Sequence, residues 1–180
     1  MITAEQLAQS ILELKSSQQK TDEQMKKTDE QIKETSKGLK KLQKLVGNIS
    51  NNQGDVAEEF FVNSISPTLK IGDIQYDELY KNLHKKTKKA EDEFDIVLVN
   101  GKDIAIIEVK YKAHTNDIES FINKKYSNFK KLYPEYKNYN HHLGLASFNI
   151  NDDVKKTASQ NNVMLLQRKG DIIETIMPSS

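Results

Sequence analysis

Glu93, Asp95, Glu108 and Lys110 are the residues of this chain whose types and spacing could do chemistry. They flank two apolar runs, Ile96-Val97-Leu98-Val99 and Ile104-Ala105-Ile106-Ile107, joined through Asn100-Gly101. Asn-Gly between β-branched runs signals a hairpin, because a type I′ turn requires φ > 0 at both central residues. A two-residue Asn100-Gly101 loop would set Val99 opposite Lys102, Asp95 opposite Ile106 and Glu93 opposite Glu108. With side chains alternating at period two, Glu93, Asp95, Glu108 and Lys110 then share one face at one end of the hairpin. Nearer the turn that face carries Val97, Val99, Ile104 and Ile106; the other carries Ile96, Leu98, Ala105, Ile107 and Val109. Apolar residues on both faces mean strands buried on both sides. Carboxylates at the end of such a hairpin need a cation, a proton or solvent as partner. Two acids and a lysine there have the makings of a metal site.

The elements that must position this group come from a chain of 180 residues, 36% hydrophobic, with room for one domain and an appendage. No run of eighteen apolar residues exists and the mean hydropathy is −0.71, so no transmembrane helix is expected. Met1-Ile2-Thr3-Ala4-Glu5 lacks the basic flank and apolar core of a signal peptide, and there is no cysteine; the expected location is cytoplasmic. Net charge is only +1, but it is unevenly spread: residues 51–115 hold 9 Lys against 12 Asp and Glu, and residues 116–180 hold 9 basic against 7 acidic. The acidic excess surrounds the hairpin, where a divalent cation would offset it.

Leu7, Ile11, Leu14, Gln18, Thr21, Met25, Thr28, Ile32, Thr35, Leu39, Leu42, Val46 and Ile49 follow one another at alternating spacings of four and three. That is a heptad pattern, reinforced by Lys20-Thr21-Asp22-Glu23-Gln24-Met25-Lys26 recurring as Lys27-Thr28-Asp29-Glu30-Gln31-Ile32-Lys33. A stripe so narrow does not hold a helix alone, so residues 4–50 are expected to pair with copies of themselves in a coiled coil, about 70 Å long. The polar residues in mid-seam leave oligomer number open. Domains are expected at 1–50 and 51–180, with the junction at Gly47 and Asn51-Asn52-Gln53-Gly54.

Beyond the junction, Asp55 is positioned to cap a helix running to about Ile65 and ended by Pro67. Strand is expected within Leu69–Leu83, then a basic loop through Lys81, Lys85, Lys86, Lys88 and Lys89. After the hairpin, Asn116 opens a helix to about Leu132 with the stripe Ile118, Phe121, Ile122, Phe129 and Leu132, stopped by Pro134. Strand over Leu143–Ile150, helix over Asp152–Gln160 and strands over Val163–Gln167 and Ile172–Met177 complete an α/β chain with a mixed sheet.

Asp95 followed across a hairpin by Glu108-Val109-Lys110, with an acidic helix upstream, resembles the PD-(D/E)XK, or restriction endonuclease-like, nuclease superfamily. Gly54-Asp55-Val56-Ala57-Glu58 resembles the helix that supplies a further metal-binding glutamate in some members, and the order αβββαβ from Asp55 to Ile150 is that of the family core. The resemblance spans roughly residues 54 to 177, with Phe94 standing where the motif has proline. It implies a Mg²⁺-dependent DNA nuclease, with Mn²⁺ able to substitute. Asp95, Glu108, the Val109 carbonyl and Glu58 would hold the metal, and Lys110 would orient or activate the attacking water.

Each of these residues has a plainer role to set beside that one. Strand-end acids are often simply solvated, Lys110 could only pair with an acid, and amphipathic helices routinely place a Glu beside the apolar stripe. Lys85, Lys86, Lys88, Lys89, Lys124 and Lys125 could contact phosphates, although lysine-rich helices are usually solvated faces. Tyrosines interleaved with lysines from Tyr111 to Tyr139 are more often rim packing. Arg168 is the only arginine, which disfavours bidentate base reading and favours structure-selective or non-specific DNA binding. Two alternatives keep the fold without the chemistry: a catalytically inactive DNA-binding module, or a coiled-coil scaffold.

Overall fold

The computed structural model describes residues 3–178, except for the side chains of residues 44 and 48–51. The chain divides into two compact units, Met1–Ser50 and Asn51–Ser180. One helix, α1 (Ala4–Ile65), runs through both. In the first unit Leu7, Ile11, Leu14, Met25, Ile32, Leu39, Leu42 and Val46 are all exposed, an apolar stripe at heptad spacing; Ile49 lies outside the described side chains. The expected break at Gly47 or Gly54 does not occur, and Asp55 is a mid-helix residue, not a cap. A glycine inside a helix costs only about 1 kcal/mol relative to alanine, too little to stop one whose flanks are helical.

In the second unit the strand expected over 69–83 resolves into a small ladder, β1 (Lys70–Ile71) with β2 (Ile74–Gln75), followed by a long strand β3 (Glu78–Lys86). Lys85 and Lys86 therefore sit in a strand rather than a loop, opposite Asp92 and Glu91. Next come β4 (Glu91–Val99), β5 (Asp103–Lys112) and a helical stretch in three parts: α2 (Thr115–Ser120), a π turn (Phe121–Tyr126) and α3 (Ser127–Leu132). His114, not Asn116, opens it, its backbone N–H bonded to the Asp117 carboxylate. Strand β6 (Asn140–Asn149), helix α4 (Asp152–Gln160) capped by Asn151, β7 (Val163–Lys169) and β8 (Ile172–Ile176) finish the chain.

Strands β3 to β8 form one mixed six-stranded sheet in sequence order, parallel at β5–β6 and β6–β7 and antiparallel elsewhere. The fold is α/β, with a long N-terminal helix. One face packs Ile96, Leu98, Ala105, Ile107 and Val109 under Ala57, Phe61 and Ile65 of α1. The other packs Val97, Val99, Ile104 and Ile106 under Phe121, Phe129 and Leu132. These are the two hairpin faces expected from alternation, and both are covered.

The turn itself differs from expectation. Neither Asn100 nor Gly101 has positive φ, so it is not type I′. Instead the Asn100 side-chain carbonyl accepts from the backbone N–H groups of Lys102 (2.9 Å) and Asp103 (2.7 Å). An asparagine that bonds its own downstream backbone substitutes for a turn hydrogen bond and lengthens the loop. Val99 consequently pairs with Ile104 and Ile96 with Ile107, a register moved by two residues. A shift of two preserves which face each side chain occupies, whereas a shift of one would have reversed it.

Candidate functional site

The shifted register matters most at the open end of the hairpin. The β4–β5 ladder stops at Ile96 and Ile107, and one further step brings Asp95 level with Glu108 rather than with Ile106. There the strand bonding changes character: the Asp95 carboxylate, not a main-chain carbonyl, accepts the Val109 N–H at 2.7 Å. On the other edge of β4, Asn82 is the β3 residue opposite Asp95, omitted from the ladder and held at φ +51. Alternation breaks at the same point, because Phe94 packs against Phe129 while Ile96 packs under α1. This break also leaves Glu93 exposed opposite His84, apart from the other acids, contrary to the shared face expected for it.

Glu108 is only 7% exposed. Its two oxygens take two ammonium groups: Lys110 at 2.7 Å from Oε1, and Lys125 at Oε2. Lys125 also reaches Asp95 Oδ1 at 3.1 Å, so one ammonium bridges the two carboxylates. Burial, then the neighbouring Glu108 charge, pushes the Asp95 carboxyl above its ordinary range, against Lys125 and the Val109 N–H, which pull it down. Burial alone would lower the Lys125 pKa, but the charges and hydrogen bonds of Asp95 and Glu108 outweigh it and hold the amine charged. Glu58, near the end of α1, is raised by burial and by Asp95, while Lys81 and a hydrogen bond with Asn82 oppose the rise. Helix α1 and strands β3, β4 and β5 thus bring Glu58, Asn82, Asp95 and Glu108 into one electrostatic neighbourhood.

A cavity of about 230 Å³ opens on this group, lined by Glu108, Lys110, Lys124 and Lys125 together with Asp92 and Asp117. A larger one, about 520 Å³, lies between the end of α1 and β8, but Lys70 and Asp171 are its only charged residues and it is remote from the paired acids. Among the described residues no three His, Cys, Asp or Glu side chains stand close enough together to hold a metal. What the site does offer a hard cation is oxygen chemistry: two carboxylates converging on a point already occupied by positive charge, and a third nearby.

Lys125 is where expectation and structure differ most. Lys125 was expected to contact phosphates, with a solvated face as the plainer role, yet this side chain is 24% exposed and sits between the acids. The signal was present in the spacing. Phe121, Lys125 and Phe129 are four apart, so Lys125 fills the gap in the apolar stripe, and the π turn carries it to the sheet. Of the other lysines, Lys85 pairs with Glu135 and Lys86 with Glu91, while Lys88 and Lys89 are exposed in the β3–β4 turn.

No curated protein matches this chain. A crystal structure of a protein of unknown function, AF1548, aligns at 16% identity and a TM-score of 0.37, over 50% of this chain and 48% of that one. The chain thus spans about half the length of that protein, and a likeness of this degree carries no argument. Among the described residues no helix is long and apolar enough to cross a membrane. The model of a restriction-endonuclease domain family, described as the BanI C-terminal domain, matches residues 26–146, which include Glu58, Asp95, Glu108, Lys110 and Lys125. On that match, over more than half its length, the chain belongs to the BanI C-terminal domain family.

Proposed function

We propose that this protein hydrolyses DNA phosphodiesters with Mg²⁺, for which Mn²⁺ can substitute. The observation that carries this reading is the convergence of Asp95 and Glu108 on a single cationic position beside Lys110. Asp95, Glu108 and the Val109 carbonyl would hold the metal, with Glu58 completing the set directly or through water. A bound metal would polarise the phosphoryl oxygen and assist the leaving alkoxide. Lys110 would orient the attacking water and offset charge on the scissile phosphate. Lys125 would yield its place between the carboxylates and turn its charge toward the substrate. Lys88, Lys89 and Lys124, with Lys85 and Lys86, would add phosphate contacts that do not depend on sequence.

The position of Lys125 favours one other reading, a DNA-binding module in which the ammonium permanently replaces the metal. Calorimetric titration of Mg²⁺ and Mn²⁺ into the wild type and Glu108→Ala separates the two. Metal binding that the substitution abolishes supports hydrolysis; no binding by either protein, with or without DNA, sinks it.

The exposed heptad stripe of α1 supports a parallel assembly of identical chains, holding two or more sites for cutting both strands of a duplex. A chain beginning near Gly54 is expected to sediment as a monomer and to lose double-strand cleavage while retaining nicking. An unchanged mass would refute the assembly.

A further inference from the structure

One residue beyond Lys125 begins another cavity, about 370 Å³, lined by Tyr126, Lys130, Tyr133, Lys137, Tyr139 and His141. Its size lies within the ~300–1,000 Å³ usual for ligand pockets. The lining is aromatic and cationic together. Tyr126 and Tyr139 are half-buried, the Tyr126 and His141 rings are 5.7 Å apart, and the Lys130 ammonium lies 4.6 Å over the Tyr126 ring. Two buried polar atoms without a hydrogen-bond partner belong to this lining, the Tyr133 hydroxyl and His141 Nδ1. Tyr133 is 7% exposed. Buried polar groups are nearly always paired, so two orphans around one cavity point to a missing partner.

The chemistry of that partner follows from the atoms left over. His141 Nε2 lies 2.8 Å from the Tyr136 carbonyl and must donate to it, which leaves Nδ1 an acceptor in the neutral ring. The Tyr133 hydroxyl can donate or accept. The cavity therefore offers aromatic surface for a flat ring and two ammonium groups for an attached anion, with an acceptor and a hydroxyl buried in its lining residues for the ring's polar edge to reach. A nucleobase on its phosphate backbone supplies all of these. A base within a duplex does not, because both its faces are stacked and its edge is paired.

We propose that this cavity receives an unpaired nucleobase of the DNA whose phosphates reach Asp95 and Glu108, which makes single-stranded, bulged or mismatched DNA the preferred substrate. The choice of DNA rests on the hydrolytic reading above. The test uses the full chain in EDTA, so that binding is measured without cleavage. Its probes are oligodeoxynucleotides carrying 2-aminopurine in a single strand, in a one-base bulge and in a fully paired duplex. Stacking should quench the fluorescence of the first two and not the third, with unpaired DNA bound on the order of tenfold more tightly. Tyr126→Leu combined with Tyr139→Leu should remove both the quenching and the preference. Tyr133→Phe, which deletes one oxygen and keeps the ring, should weaken the preference while retaining the quenching.

Equal affinity for paired and unpaired DNA, or quenching that survives the double substitution, overturns the proposal. Mg²⁺-dependent cleavage without any preference for unpaired DNA overturns it while sparing the hydrolytic reading. Quenching and preference in a protein that never cuts leave it standing and sink that reading instead.

Discussion

Strand β5 carries two buried acids five residues apart, Asp103 at 6% exposure and Glu108 at 7%, and they live under opposite conditions. Asp103 Oδ1 meets the Asn140 side-chain amide and His142 Nε2, each at 3.0 Å, while its backbone closes the Asn100 turn. The hydrogen bonds from His142 and Asn140 hold its carboxyl below the usual range. Both side-chain partners of the Asp103 carboxylate come from β6, and the arrangement ties β5 to β6. At the other end Glu108 shares its counter-charge with a second carboxylate, and Asp95 is pushed up by burial and by Glu108. Burial of an acid is therefore not by itself a sign of chemistry in this fold; what sets the proposed site apart is the crowding of like charges.

That contrast can be broken most severely by exchanging each acid. Glu108→Ala should reduce Mg²⁺-dependent cleavage at least about a thousandfold, since it removes a proposed metal ligand and a cation partner together. Asp103→Asn should leave cleavage close to wild type and lower the melting temperature. Cleavage lost equally in both variants would show that the two acids are not functionally distinct.

A smaller effect is expected from Lys125→Met. Without metal, Asp95 and Glu108 would face each other across a buried gap, at a cost of about 3 kcal/mol in urea unfolding. Because a cation should replace the missing ammonium, saturating Mg²⁺ should stabilise the variant more than it stabilises the wild type. Equal stabilisation would place the metal elsewhere.

The smallest effect is on pH dependence in chelator. A carboxyl whose folded pKa is raised binds its proton more tightly in the native state. The contribution of Asp95 is therefore fully present below its ordinary pKa of 3.8 and is lost as pH rises through its higher folded value. Asp103 has the opposite sign: its contribution is present above 3.8 and is lost as pH falls through its lower folded value. Asp95→Asn should flatten the decline in stability as pH rises above the ordinary carboxyl value, and Asp103→Asn should flatten the acid limb below it. Indistinguishable profiles would erase the comparison.

The hairpin, the two-sided burial and the meeting of Asp95 with Glu108 at its open end, though not the place of Glu93, were legible because period-two alternation survives a register change of two. Helix Asp152–Gln160 was legible from its spacing and from the strands that follow it. The register itself was not, because a side-chain hydrogen bond of Asn100 competes with the turn type that Asn-Gly favours. Nor was the continuity of α1, since Gly54 weakens a helix without obliging it to end. The seat of Lys125 between the carboxylates was hidden for a third reason. Its burial depends on Asp95 and Glu108 from other strands, and a lysine among lysines looks solvated until those partners are placed. The alternation break at Asp95 likewise needs Asn82 of a neighbouring strand.

The wide turn over Phe121–Tyr126 makes this stretch sensitive to its length as well as to its side chains. A π turn accommodates one residue more than a regular α-helix would need for the same path. Deleting a single exposed residue such as Asn123 would therefore let α2 and α3 run on as one regular helix along the same path, with Ile118 and Phe129 still packed. What would move is the stretch inside the turn, Lys125 included, which bridges Asp95 and Glu108. A one-residue deletion here is thus expected to spare the flanking helices and to cost the paired acids their shared ammonium, the reverse of what a deletion does in a regular helix.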